Sequence, residues 1–62
     1  MIFKQGALVE AAPGAFLPFT RAVVQKSWAA DGNHWVQVGN TIDSKGADVG
    51  VYPASKLREV IA

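Results

Sequence analysis

The hydrophobic positions along this chain recur with the period of a β-strand and nowhere with the period of a helix. In 20–28, Thr20, Ala22, Val24 and Trp28 fall on one side, and Arg21, Val23, Gln25 and Ser27 on the other. Lys26 falls out of phase with the first set, so the alternation is imperfect near that strand's end. Ala29-Ala30-Asp31-Gly32-Asn33-His34 follows, and Asp-Gly suits the positive φ angles of a tight hairpin turn. The returning strand at 34–39 turns Val36 and Val38 inward and Trp35 and Gln37 outward. Upstream, 2–10 reads as a first strand, with Ala7 and Val9 on one side, Leu8 and Glu10 on the other, and a bulge or bend at Gly6.

Prolines and glycines divide the remainder. Ala11-Ala12-Pro13-Gly14 is a turn signal. Ala15-Phe16-Leu17-Pro18-Phe19 is apolar but broken by Pro18, and reads as a loop laid over one end of the core, with Phe16, Leu17 and Phe19 as core plugs. The stretch 39–47 is polar apart from Ile42 and forms an ordinary connection. A short strand at 48–52 ends at Pro53, which has no N–H for a ladder. A compact turn leads to a last strand at 57–61. There the alternation of Leu57, Glu59 and Ile61 is too brief to separate strand from helix by period alone.

Five short strands joined by turns predict an all-β fold in one domain, 1–62, closed or nearly closed as a barrel that leaves few exposed edges. The expected core is Val9, Ala22, Val24, Val36, Val38, Val49, Val51 and Leu57. Sixty-two residues lie near the lower limit for a chain that folds alone. Domains of this size commonly add disulfides, a metal or a partner. The chain has no cysteine and one histidine, His34, which excludes disulfides and a zinc cluster and leaves self-association as the remaining support.

Chemistry-bearing residues are few. Ser27, Ser44 and Ser55 sit in no nucleophile motif, and a Ser/His/Asp triad would have to be assembled around His34 alone. Asp43 and Asp48 flank one loop, where turn capping accounts for them. Gly46 and Gly50 lack the pattern of a phosphate-binding loop. No catalytic residue and no metal ligand is therefore assigned. Six basic and five acidic residues, scattered and giving a net charge of +1, weigh against nucleic acid. Trp35 with Arg21 across the sheet is the candidate base-stacking platform. With no apolar run of signal-peptide or membrane-span length, a cytoplasmic location is expected.

The strand order and the closing Tyr52-Pro53-Ala54-Ser55-Lys56-Leu57-Arg58-Glu59-Val60 resemble an SH3-like small barrel. Within that superfamily, Val49-Gly50-Val51-Tyr52-Pro53 followed by Leu57 is similar to the plasmid-borne type II dihydrofolate reductases. Their closing segment reads Val-Gln-Ile-Tyr-Pro, three residues, then Leu. Gly6-Ala7-Leu8-Val9 resembles that family's Gly-Asp-Arg-Val, and Gly14-Ala15-Phe16 its Gly-Ala-Ala-Trp. The resemblance implies four chains around one pore, holding NADPH and dihydrofolate against Gln, Ile and Tyr side chains with a lysine at the rim. By position these fall on Gly50, Val51 and Tyr52, with the lysine near Ala11. Gly50 has no side chain and Ala11 no charge, so the resemblance implies the scaffold and ring assembly rather than the reaction. SH3-type recognition of proline-rich ligands needs an acidic loop and a tyrosine-rich groove, and 11–19 has no acid.

The expected function is thus a non-catalytic small barrel acting through protein contacts, as a homo-oligomer or a piece of a larger assembly. Its expected interface is a face carrying Trp35, Gln37 and Tyr52, with Trp28 folded over a barrel end. The alternatives are an NADPH-dependent reductase using Gly50, Val51 and Tyr52, and a weak nucleic-acid module.

Overall fold

A computed structural model describes residues 3–61. The chain is all-β: β1 (Leu8–Ala11), β2 (Arg21–Ala30), β3 (Asn33–Gly39), β4 (Gly50–Pro53) and β5 (Leu57–Glu59) form one antiparallel sheet in the order β4-β3-β2-β1-β5. Two short 3₁₀ turns, Gly46–Asp48 and Ala54–Lys56, lead into β4 and β5. No ladder joins β4 to β5 among the described residues, so the sheet is open where the sequence suggested a closed or nearly closed barrel.

The β2–β3 hairpin forms as its sequence dictates. Asp31 and Gly32 take φ of 53° and 79°, the pair of positive angles a two-residue turn needs to match the strand twist. Further along, β2 holds an irregularity that the alternation only hinted at. Val24 pairs with Val38, but the next partners are Lys26 and Gln37, leaving Gln25 as an extra residue in a β-bulge. The bulge reverses the phase of the strand. Ser27 therefore stands opposite the buried Val36, and Trp28 stands opposite Trp35 on the other side of the sheet.

The core consists of Phe3, Val9, Ala22, Val24, Val36, Val38 and Leu57, with Ala7, Leu17, Phe19, Tyr52 and Ala54 packed against it. The expectation fails in β4. Val51 is 48% exposed and Val49 only half-buried, because Gly50 and Tyr52 take the inward positions opposite Val38 and Val36. Phe16, expected as a core plug, is 98% exposed, whereas Leu17 and Phe19 do pack inward.

The first strand starts at Leu8 rather than near residue 2, and Ile2 lies outside the described residues. Before it the chain makes a turn through Gly6 (φ 88°), whose N–H donates to the Val24 carbonyl over 2.8 Å. The last strand ends at Glu59, short of the expected 61.

Candidate functional site

The bulge decides what the outer side of the sheet presents. Cross-strand partners share a side, so the register sets two rows across β2, β3 and β4. One row is Trp28, Trp35 and Pro53; the next is Lys26, Gln37 and Val51. Trp28 and Trp35 are each half-buried, and Val51 adds an exposed aliphatic surface beside them. The Lys26 Nζ lies 5.5 Å from the centre of the Trp28 ring, within reach of the ring's negative face. The indole Nε1–H of Trp35 donates to the Ala30 carbonyl at 3.3 Å, which ties that side chain to the hairpin end.

Gln37 is held from one side. Its Nε2 donates to the Oε1 of Gln25 over 2.8 Å. The Nε2 of Gln25 in turn donates to the carbonyls of Thr41 (3.0 Å) and Ser44 (2.8 Å) and to Ser44 Oγ (3.2 Å). Gln25 is 8% exposed, the one buried polar side chain among the described residues. Its amide is saturated, as burial demands. A bulge that turns an extra glutamine sideways thus pins the 40–45 loop against the sheet. Gly39 gives that network room: a Cβ there would collide with Ser44 Oγ and stand 2.7 Å from Gln25 Nε2. A second polar pair lies across β1 and β5, where the Arg58 Nε donates to Glu10 Oε2 at 2.7 Å.

Of the expected interface residues, Trp35 and Gln37 share the outer face and Tyr52 does not. Tyr52 turns inward, its ring 5.5 Å from that of Phe19 in an edge-to-face arrangement at 70°. The physical reason is Gly50. The Tyr52 ring lies directly over it, so that a Cβ at position 50 would stand 2.7 Å from Cε2 and 2.8 Å from Oη. Trp28, expected over a barrel end, takes the place on the outer face that Tyr52 does not fill. The signal for this was the phase break at Lys26, which a bulge explains and a simple strand does not.

Gly50, Val51 and Tyr52 do not line one surface. Gly50 and Tyr52 border a recess of about 220 Å³ shared with Phe19 and Val38, while Val51 points the other way. Arg21, expected across the sheet from Trp35, lies at the far end of β2, opposite Glu10. Ser27 gives its hydroxyl to the Phe3 carbonyl at 3.2 Å, and the Ser44 hydroxyl belongs to the loop network. His34 and Ser55 border one cleft, with no hydrogen bond between them among the described residues. No group of three or more His, Cys, Asp or Glu among the described residues is placed to hold a metal ion.

That cleft, of about 790 Å³, is walled by the hairpin tip at Gly32 and His34, by Pro53 and Ala54, and by β5. No described helix is long and apolar enough to cross a membrane. Comparison with protein-family models, with curated proteins and with solved structures returned no match.

Proposed function

We propose that this chain is a non-catalytic small β-barrel of the SH3-like kind that works through protein contacts, its partner being a second copy of itself. The single observation that carries this reading is the pair of rows Trp28–Trp35–Pro53 and Lys26–Gln37–Val51 on the outer side of the sheet. Tryptophan and other aromatics with one polar atom dominate association energies when they sit at the centre of a contact. Here two of them stand side by side, bordered by an exposed valine and by a glutamine already oriented by Gln25. A chain of 62 residues gains the support a small core lacks by covering such a face. A net charge of +1 leaves little repulsion between copies. The strand order β4-β3-β2-β1-β5, with a 3₁₀ turn carrying the chain from β4 to β5, supports the small-barrel reading.

The test is solution mass. Truncating a central interface aromatic costs about 2 kcal/mol or more, roughly thirtyfold in affinity at 1.4 kcal/mol per tenfold. Trp35→Ala should therefore shift the chain toward monomer at micromolar concentration while its β-type circular dichroism is retained.

One observation favours a second reading. The bulge brings Trp28 beside Trp35 with Lys26 over its ring, a grouping that suits stacked bases of a single strand. Retention on immobilised single-stranded DNA or RNA that falls steeply with salt would select it over self-association. The reductase-like alternative, with NADPH against Gly50, Val51 and Tyr52, is tested by turnover of dihydrofolate. None is expected, and activity abolished by Tyr52→Phe would reinstate it.

A further inference from the structure

Two polar atoms on the tryptophan face have no partner among the described residues, one a donor and one an acceptor. The two indoles differ: the Trp35 Nε1–H donates to the Ala30 carbonyl at 3.3 Å, whereas the Trp28 Nε1–H makes no hydrogen bond among the described residues. The Trp28 ring is half-buried, and the Lys26 ammonium beside it is a donor that offers the indole no acceptor. On the neighbouring strand the Gln37 amide is held in one sense. The carbonyls of Thr41 and Ser44 accept and cannot donate, so the end of Gln25 that meets them is its Nε2. The Gln25 Oε1 is therefore the end turned to Gln37, which answers with its own Nε2 at 2.8 Å. Gln37 Oε1 accepts nothing among the described residues. Through Gln25, the 40–45 loop thus sets Gln37 to offer this face an unpaired acceptor.

We infer that the Trp28 Nε1–H of one copy donates to Gln37 Oε1 of a second copy, and reciprocally, with Gln25 as the residue that positions Gln37 for the contact. The inference rests on the self-association reading and deepens it by naming the groups that meet.

A second copy is the occupant because the face carries both halves of the contact. Trp28 stands on β2 in one cross-strand row and Gln37 on β3 in the next. With strands about 4.8 Å apart and alternate residues about 6.8 Å apart, the two positions are about 8 Å from one another. A two-fold contact is isologous: if Trp28 meets the partner's Gln37, then Gln37 meets the partner's Trp28. A two-fold axis lying in the contact plane and bisecting the Trp28–Gln37 diagonal does this in one operation, pairing both donors with both acceptors. On the same spacings that axis runs close to Trp35 and sets it against the partner's Trp35, an aromatic anchor at the middle of the contact. Lys26 is exposed and borders the recess under Ile42–Lys45. Its ammonium keeps to water there, where salt screens it from its counterpart. Covering the face in another way would strand the same donor and acceptor without water, a cost that this docking avoids.

The experiment uses the full chain made by chemical synthesis with benzothienylalanine at position 28, where sulfur replaces the indole N–H and the ring keeps its shape. Association is measured by sedimentation equilibrium. Losing two hydrogen bonds per pair of copies should weaken it about tenfold to hundredfold. The same analogue at position 35, whose N–H stays within its own chain, should leave association near that of wild type. In a Gln37→Ala background the analogue at 28 should cost nothing further, the mark of a directly contacting pair. Its cost should also shrink in Gln25→Met, which keeps the side chain's length but lets Gln37 turn either end of its amide outward. A chain with the analogue at 28 that associates as tightly as wild type overturns the inference while self-association stands. An equal cost of that analogue with and without Gln37 does the same, and a full cost in Gln25→Met overturns the positioning role. A wild-type chain that is monomeric throughout overturns both readings.

Discussion

A single added methyl group at position 50 tests how β4 is built. Gly50 has no positive φ, so its need for glycine is one of space and not of backbone angle. In Gly50→Ala the new Cβ would lie 2.7 Å from Tyr52 Cε2, 2.8 Å from Oη and 3.0 Å from Cζ. All three are inside normal contact distance, so the ring must move. It cannot move freely, because it packs against the core and meets Phe19 edge-on.

Overpacking of this kind costs about 1–3 kcal/mol, and losing the aromatic pair adds about 0.5–1.5 kcal/mol. Against this, replacing glycine narrows the unfolded ensemble and returns about 0.4–1 kcal/mol. The net expectation is a destabilisation of about 2 kcal/mol, or roughly 8–16 °C in Tm for a domain of this size. Urea titration followed by tryptophan fluorescence measures it, and Tyr52→Ala completes the cycle. In the Tyr52→Ala background the same Gly50→Ala change should be close to neutral, since the obstructing ring is gone. A neutral or stabilising Gly50→Ala in the wild-type background would refute the reasoning. So would an equal cost in both backgrounds. Gly50→Gln, which introduces a larger side chain under the same ring, should cost at least as much and confer no dihydrofolate turnover.

Three further outcomes follow from the same geometry. Gln25→Ala strands the groups it satisfies on the 40–45 loop, so it should cost about 1–3 kcal/mol and speed amide exchange at Ser44, whose N–H donates to the Thr41 carbonyl. Gly39→Ala should give a similar loss through collision with Ser44 Oγ, and Gly39→Ala in a Gln25→Ala, Ser44→Ala background should cost much less. Arg58→Ala removes an ion pair whose partners are 57% and 26% exposed. It should cost under about 1 kcal/mol in urea titration, and the difference should shrink in 1 M salt.

Much of the fold was legible because the signals were local. Asp31-Gly32 fixed a turn, period-2 valines fixed β2 and β3, and Val9, Ala22, Val24, Val36, Val38 and Leu57 all entered the core as their alternation required. What was not legible depended on neighbours distant in sequence or on one inserted residue. In β4 the valines at 49 and 51 look like the inward set, and a glycine looks like an empty position. The Tyr52 ring fills the space above Gly50, so the inward set is Gly50 and Tyr52. In β2 the bulge at Gln25 reverses the phase, so Trp28 moves to the outer face and Gln25 becomes a buried tie to a loop. The out-of-phase Lys26 marked the place without saying which residue was extra. Phe3 entered the core from outside any strand, through a turn that period alone does not describe. Phe16 stayed out because Leu17 and Phe19 already occupy the inward side of its loop.

The central claim, that the tryptophan face joins copies of this chain, is tested most directly by sedimentation equilibrium of wild type and Trp35→Ala over a range of micromolar concentrations. The account expects a wild-type mass that is a multiple of 6.6 kDa and falls on dilution, with Trp35→Ala shifted toward the monomer mass at every concentration. A wild-type chain that sediments as a monomer at every concentration would contradict it. A Trp35→Ala chain that assembles as well as wild type would contradict it equally.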